Sequence, residues 1–159
     1  MGGALRVAVV QLDAASAAQL RLERITGLAE RICQEHHPDL LLFPELAAEG
    51  YRLELKDRRL AEFWADLAAR LKVHLLAGLA KQQDGQWYDS ACCWDEAGRL
   101  LAEYRKLHLW GEEKRHFQAG DTPVSLVIKG WKLGLMICAD LGFPAHPGGA
   151  GVRARLRVR

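Results

Sequence analysis

Leu40-Leu41-Leu42-Phe43-Pro44-Glu45 is a run of four apolar residues, a proline and a carboxylate. A segment apolar at every position, not every second one, fits a strand covered on both faces of a sheet. Outward from it the pattern alternates. Leu5 to Leu12 reads as an earlier strand, and Leu22, Ile25, Ala29, Ile32 and Cys33 form one helical stripe that Ser16 could cap. Beyond Glu45, Leu60, Phe63, Trp64, Leu67, Ala68 and Leu71 fall on one face of a second helix, and Val73 to Ala80 is again continuously apolar. Then strands follow strands. Trp87–Trp94 and Leu100–Leu107 flank Asp95-Glu96-Ala97-Gly98, while Val124–Ile128 and Lys132–Cys138 flank Lys129-Gly130-Trp131. The order predicts an α/β fold, a mixed sheet with helices packed on it.

The 159 residues suit one domain, and 50% hydrophobic content suffices for a core. No stretch has the pattern of a signal peptide or membrane span, so no membrane partner is expected. The net charge of +2 comes from residues 145–159, which hold four arginines and no acid; without them 18 basic residues face 20 acidic ones. That tail has no aromatic platform beside its arginines, so nucleic-acid binding is not expected. Cys33, Cys92, Cys93 and Cys138 lack CxxC spacing and paired histidines, which argues against zinc and for a reduced, cytoplasmic setting. Cys92 and Cys93, adjacent on a strand, should point to opposite faces.

Three apolar segments end in reactive groups. Leu40–Phe43 leads to Glu45, Glu103-Tyr104-Arg105 to Lys106, and Leu133-Gly134-Leu135-Met136-Ile137 to Cys138. A carboxylate, an ammonium and a thiol at strand ends are the parts of a nucleophilic hydrolase. The contexts are Phe-Pro-Glu-x-x-x-x-Gly-Tyr, Tyr-Arg-Lys-x-His-Leu and Cys-x-Asp-x-x-Phe-Pro. In this order they resemble the nitrilase superfamily of carbon–nitrogen hydrolases, from about Leu5 to Pro144.

The resemblance implies an αββα sandwich and a Glu45-Lys106-Cys138 triad. Cys138 would be the nucleophile and Glu45 the general base. Lys106 and the Ala139 backbone N–H would steady the oxyanion. Glu113 matches a second glutamate that helps position substrate, with Glu112 an adjacent competitor. Tyr51 either lines the pocket or packs, His108 is structural or supports the site from behind, and Asp140 fixes the turn. Convergence of Glu45 and Lys106 on the sulfur should depress the thiol pKa. The expected reaction is hydrolysis of an amide, ureide or nitrile through a thioester, with no metal or organic cofactor.

After Pro144 the resemblance stops. The sequence divides into an incomplete hydrolase domain, 1–144, and a basic Gly/Arg-rich tail, 145–159, expected to be disordered and similar in composition to coding sequence read out of frame. The second half of the sandwich is expected to be missing. Apolar sheet left bare would then favour a homo-oligomer or aggregate. The rival expectation is a catalytically silent, truncated fragment with at most a binding role.

Overall fold

The computed structural model describes residues 3–12 and 18–143; the Ser16 cap, Pro144 and the basic tail lie outside the described residues. Strands β1 (Val7–Val9), β2 (Leu40–Leu42) and β3 (His74–Gln83) run parallel, with Val7 opposite Leu40 and Leu40 opposite His74. β4 (Gln86–Trp94) and β5 (Leu100–Arg105) continue the sheet antiparallel, in the order β1-β2-β3-β4-β5. Helices α1 (Ala18–His36) and α2 (Leu60–Leu71) link the parallel strands. Their buried Ile25, Ala29, Trp64, Leu67 and Ala68 pack with Leu41, Leu75, Ala77 and Cys92.

The opposite face is covered by a hairpin of β6 (Ser125–Ile128) and β7 (Trp131–Gly134). Its two-residue turn, Lys129-Gly130, has positive φ at both positions (49° and 81°), as a twist-matched hairpin turn requires. Ile128, with Leu126 and Leu133, packs on Leu40, Leu76, Cys93 and Ala102. The layers are therefore helices, mixed sheet and hairpin. Leu41 joins the helix-side core and Leu40 the hairpin-side core, as a run apolar at every position predicts. Cys92 and Cys93 separate in the same way.

β1 and β7 fall furthest short of what the sequence suggests. β1 is an edge strand paired with β2, and its Val7 and Val9 are exposed. β7 ends at Gly134; the Leu135 N–H still bonds Val124 O (3.0 Å) in the hairpin's register, but the strand does not run on to Cys138.

Past β2, a turn docks onto β3 through Glu49, whose Oε1 accepts the Ala80 N–H at 2.6 Å. Its Oε2 is buried with no donor. Burial, only partly offset by backbone N–H groups, pushes the Glu49 pKa from 4.5 up to about 7. The folded state thus holds a proton that the unfolded chain has released, and stability falls as pH rises from 4.5 through 7. Glu49→Gln keeps the acceptor and has no charge to bury. We predict that it is more stable than the parent at pH 8 by up to about 3 kcal/mol, and equally stable near pH 4. Denaturant melts at both pH values check this; a gap independent of pH would contradict it.

Candidate active site

Because β2, β3 and β5 share a direction, Glu45 beyond β2 and Lys106 beyond β5 arrive at the same end of the sheet. Antiparallel β4 places Asp89 there too, opposite Ala80. Gly78 makes room for the Glu45 segment. A Cβ at Gly78 would stand 2.5 Å from Glu45 Cα, and its backbone bonds Pro44 O and the Ala47 N–H. Leu46 follows with φ 44°, a left-handed conformation rare for leucine.

Lys106 has no exposed surface. Its Nζ donates to Glu45 Oε1 at 2.5 Å and to Glu113 at 2.8 Å, and lies 3.5 Å from Asp89 Oδ2. Burial works against the charge, but the bonds to Glu113 and Glu45 outweigh it and raise the Lys106 pKa. Glu113 begins a one-turn helix, α3 (Glu113–His116), that the apolar pattern does not announce. It also accepts the Trp110 N–H (2.9 Å) and the Tyr51 hydroxyl (2.6 Å). These donors, led by Lys106, overcome burial and lower its pKa. Glu112, the competing acid, is exposed and bonds Arg115. Oxygens of Glu45, Asp89 and Glu113 lie within 4.8 Å of one another, the spacing of a cation site, and the cation among them is the Lys106 ammonium.

Cys138 opens a 3₁₀ turn (Cys138–Gly142), exposed and with φ 43°. Asp140 ties that turn to the sheet. Its carboxylate accepts from Tyr104 Oη (2.6 Å), Ile137 N (2.9 Å) and His108 N (3.0 Å), and pairs with His108 Nδ1 (2.9 Å). Burial notwithstanding, these donors lower the Asp140 pKa. His108 is stacked on Phe143 at 4.1 Å and so acts from behind the turn. With Lys114 and Phe117, both line a groove of about 470 Å³.

The sulfur receives the Ala139 N–H and feels the charges of Glu45, Lys106 and Glu113. The net effect reverses the sequence expectation. Burial and the Glu45 charge raise the thiol above its ordinary 9.0, because Lys106 is already neutralised by acids. The thiol therefore rests protonated.

Sequence reasoning missed Asp89. It is fully buried beside Lys106, whose N–H bonds the Asp89 carbonyl at 2.9 Å. The available signal was an acid inside the apolar strand Trp87–Trp94.

Residues 6–147 match the carbon-nitrogen hydrolase family. The chain belongs to that family. It is 33% identical to a 2-oxoglutaramate amidase of Bacillus subtilis over 121 residues, which is 70% of this chain and 47% of that protein. It is 30% identical to a nitrilase of Pyrococcus abyssi over 155 residues, 88% of this chain and 58% of the other. Among solved structures, a mutant amidase from Nesterenkonia sp. AN1, with acrylamide added to its active-site cysteine, superposes with a TM-score of 0.80 at 29% identity. That match covers 88% of this chain and 59% of the amidase. The fold is thus nitrilase-like, and this carbon–nitrogen hydrolase chain spans about half the length of the relatives it matches.

A raised thiol pKa in an exposed position makes a kinetic prediction. Iodoacetamide should label Cys138 more slowly than free cysteine at pH 7.5, with the rate climbing beyond pH 9. Mass spectrometry with Cys138→Ser as the control reads this out; faster labelling than free cysteine would contradict it.

Proposed function

We propose that this chain hydrolyses non-peptide carbon–nitrogen bonds as an amidase-type enzyme, with residues 1–144 as the hydrolase domain. Small amides are the favoured substrates, ureides and nitriles the related ones. The observation that carries the reading is the convergence of an exposed thiol, a carboxylate and a buried ammonium at one end of the sheet, within a carbon–nitrogen hydrolase sequence.

The geometry supports a role for each group. With its thiol protonated at rest, Cys138 needs a base at the moment of attack, and Glu45 takes the proton as sulfur bonds the carbonyl carbon. The charge that develops on oxygen meets the Lys106 ammonium and the Ala139 N–H. Lys106 commits two protons to Glu45 and Glu113, which leaves one N–H and fixes the direction of the side chain. Glu45 then passes its proton to the leaving nitrogen. Ammonia or an amine departs, and a thioester remains. Water deprotonated by Glu45 attacks that thioester and releases a carboxylic acid. Every proton is handled by side chains, so the scheme calls for no metal or organic cofactor.

Glu113 holds Lys106 in place, and Tyr51 steadies Glu113 through its hydroxyl. Tyr51 is itself exposed with φ 58°, a strained conformation of the kind retained at functional sites. The setting we infer is cytoplasmic, given four free cysteines; among the described residues no helix is long and apolar enough to cross a membrane. Exposed Val7, Val9, Val127 and Trp131 favour a homo-oligomer.

Ammonia release from short aliphatic amides tests the reading. An amidase from Nesterenkonia sp. AN1 has been seen with butyramide, which makes that compound a suitable first substrate. The parent should turn it over, and Cys138→Ala should lose at least a thousandfold in kcat with unchanged far-UV circular dichroism. A folded parent inert towards amides, ureides and nitriles, or a fully active Cys138→Ala, would reject the reading.

A further inference from the structure

Three carboxylates around one ammonium leave a charge surplus that the site has to absorb. Donors are shared unequally among them. Glu113 receives Lys106, the Trp110 N–H and the Tyr51 hydroxyl, and Glu45 receives Lys106 at 2.5 Å. Asp89 receives nothing. Both of its carboxyl oxygens are buried without a hydrogen-bond donor, and Lys106 Nζ at 3.5 Å stands beyond ordinary hydrogen-bond range. A fully buried carboxylate anion without a donor is costly, and such a group takes up a proton instead.

We propose that Asp89 is a positioning residue that stands in the resting site as a neutral carboxylic acid and donates its proton to Glu45. The inference rests on the hydrolase reading for its purpose, though not for its detection. The groups facing Asp89 are Lys106 beyond β5, Glu45 beyond β2 and Glu113 on α3, with the Tyr51 hydroxyl bonded to Glu113 and the Cys138 sulfur within the same field. Burial and the neighbouring Glu45 both push the Asp89 pKa upward, while Lys106 opposes them. The other aspartates with resolved shifts, Asp39, Asp57, Asp95 and Asp140, are displaced downward, so Asp89 stands apart among the described residues.

The neutral acid does two things. It leaves Lys106 compensated by two carboxylates and not three, so more of the ammonium's field remains for a developing oxyanion. It also supplies a proton donor that orients the Glu45 carboxylate beside the lysine. When Asp89 ionises at alkaline pH, the added negative charge opposes both thiolate and oxyanion, and activity should fall.

Infrared spectroscopy of the parent protein with ¹³C-labelled aspartate reads the proton directly and needs neither a variant nor turnover. The expected result is one isotope-shifted carboxylic-acid C=O band at pH 7 that disappears on titration to alkaline pH. Asp89→Asn should remove that band, keep kcat within about threefold with KM unchanged, and abolish the alkaline fall in kcat. Asp89→Leu, which cannot donate, should lower kcat at least tenfold. No protonated aspartate band at pH 7 would overturn the proposal. So would a folded Asp89→Asn that loses kcat a hundredfold, since the acid would then act through its charge or by transferring its proton. A parent that shows the band and hydrolyses nothing leaves the Asp89 assignment standing and counts against the hydrolase reading alone.

Discussion

A lysine ammonium with no exposed surface is tolerated only where acidic side chains replace the water it has lost, and at Lys106 those acids, two charged and one neutral, come from three separate parts of the chain. Glu45 follows β2, Asp89 sits within β4 and Glu113 opens α3. None is near Lys106 in sequence except Glu113, so the charge cluster is a tertiary product of the sheet order. Its geometry depends on β2, β3 and β5 running the same way, and on Gly78 letting the Glu45 backbone pass close over β3. The balance of charges also explains the state of the Cys138 thiol. An ammonium already met by acids has little field left to ionise a neighbouring thiol, so the Cys138 pKa stands above its ordinary value.

A second polar knot holds Cys138 where that balance matters. Asp140 gathers Tyr104 from β5, the His108 backbone and ring from the loop after Lys106, and Ile137 from the segment carrying Cys138. The hairpin-side core of Ala91, Tyr104, Leu135 and Ile137 packs beneath it. Together they fix a cysteine that no strand ladder holds. Leu46, Tyr51 and Cys138 all have positive φ, and all three flank the charge cluster or belong to the site. Strain of this kind persists where surrounding structure over-determines the backbone.

Much of this was legible from residues. The continuous run Leu40–Phe43 gave the two-sided sheet, because burial on both faces leaves no polar position to alternate with. The stripe Leu60–Leu71 gave α2, and the three strand-end contexts gave Glu45, Lys106 and Cys138. What stayed hidden depended on distance in space. Asp89 lies in a strand that otherwise reads as core, and nothing local says that an ammonium waits across the sheet. The thiol's pKa shift was read in the wrong direction for the same reason: the sequence places Glu45 and Lys106 near the sulfur but does not show that the lysine's charge is already met by Glu45, Glu113 and the hidden Asp89. The apolar Leu135, Met136 and Ile137 suggest a β7 reaching Cys138, yet the strand ends at Gly134, and Leu135 and Ile137 are buried by packing with Ala91 and Tyr104.

The central claim is that the Lys106 charge neutralises a buried acid cluster on which the packing of this end of the sheet depends. Lys106→Met keeps the side chain's length and removes its charge. Denaturant unfolding followed at pH 8 and pH 5 measures the consequence. The account predicts a loss of about 3–5 kcal/mol at pH 8, the usual cost of an uncompensated buried charge, and a smaller loss at pH 5, where the stranded carboxylates can take up protons. A variant as stable as the parent at pH 8, or one equally destabilised at both pH values, would contradict it.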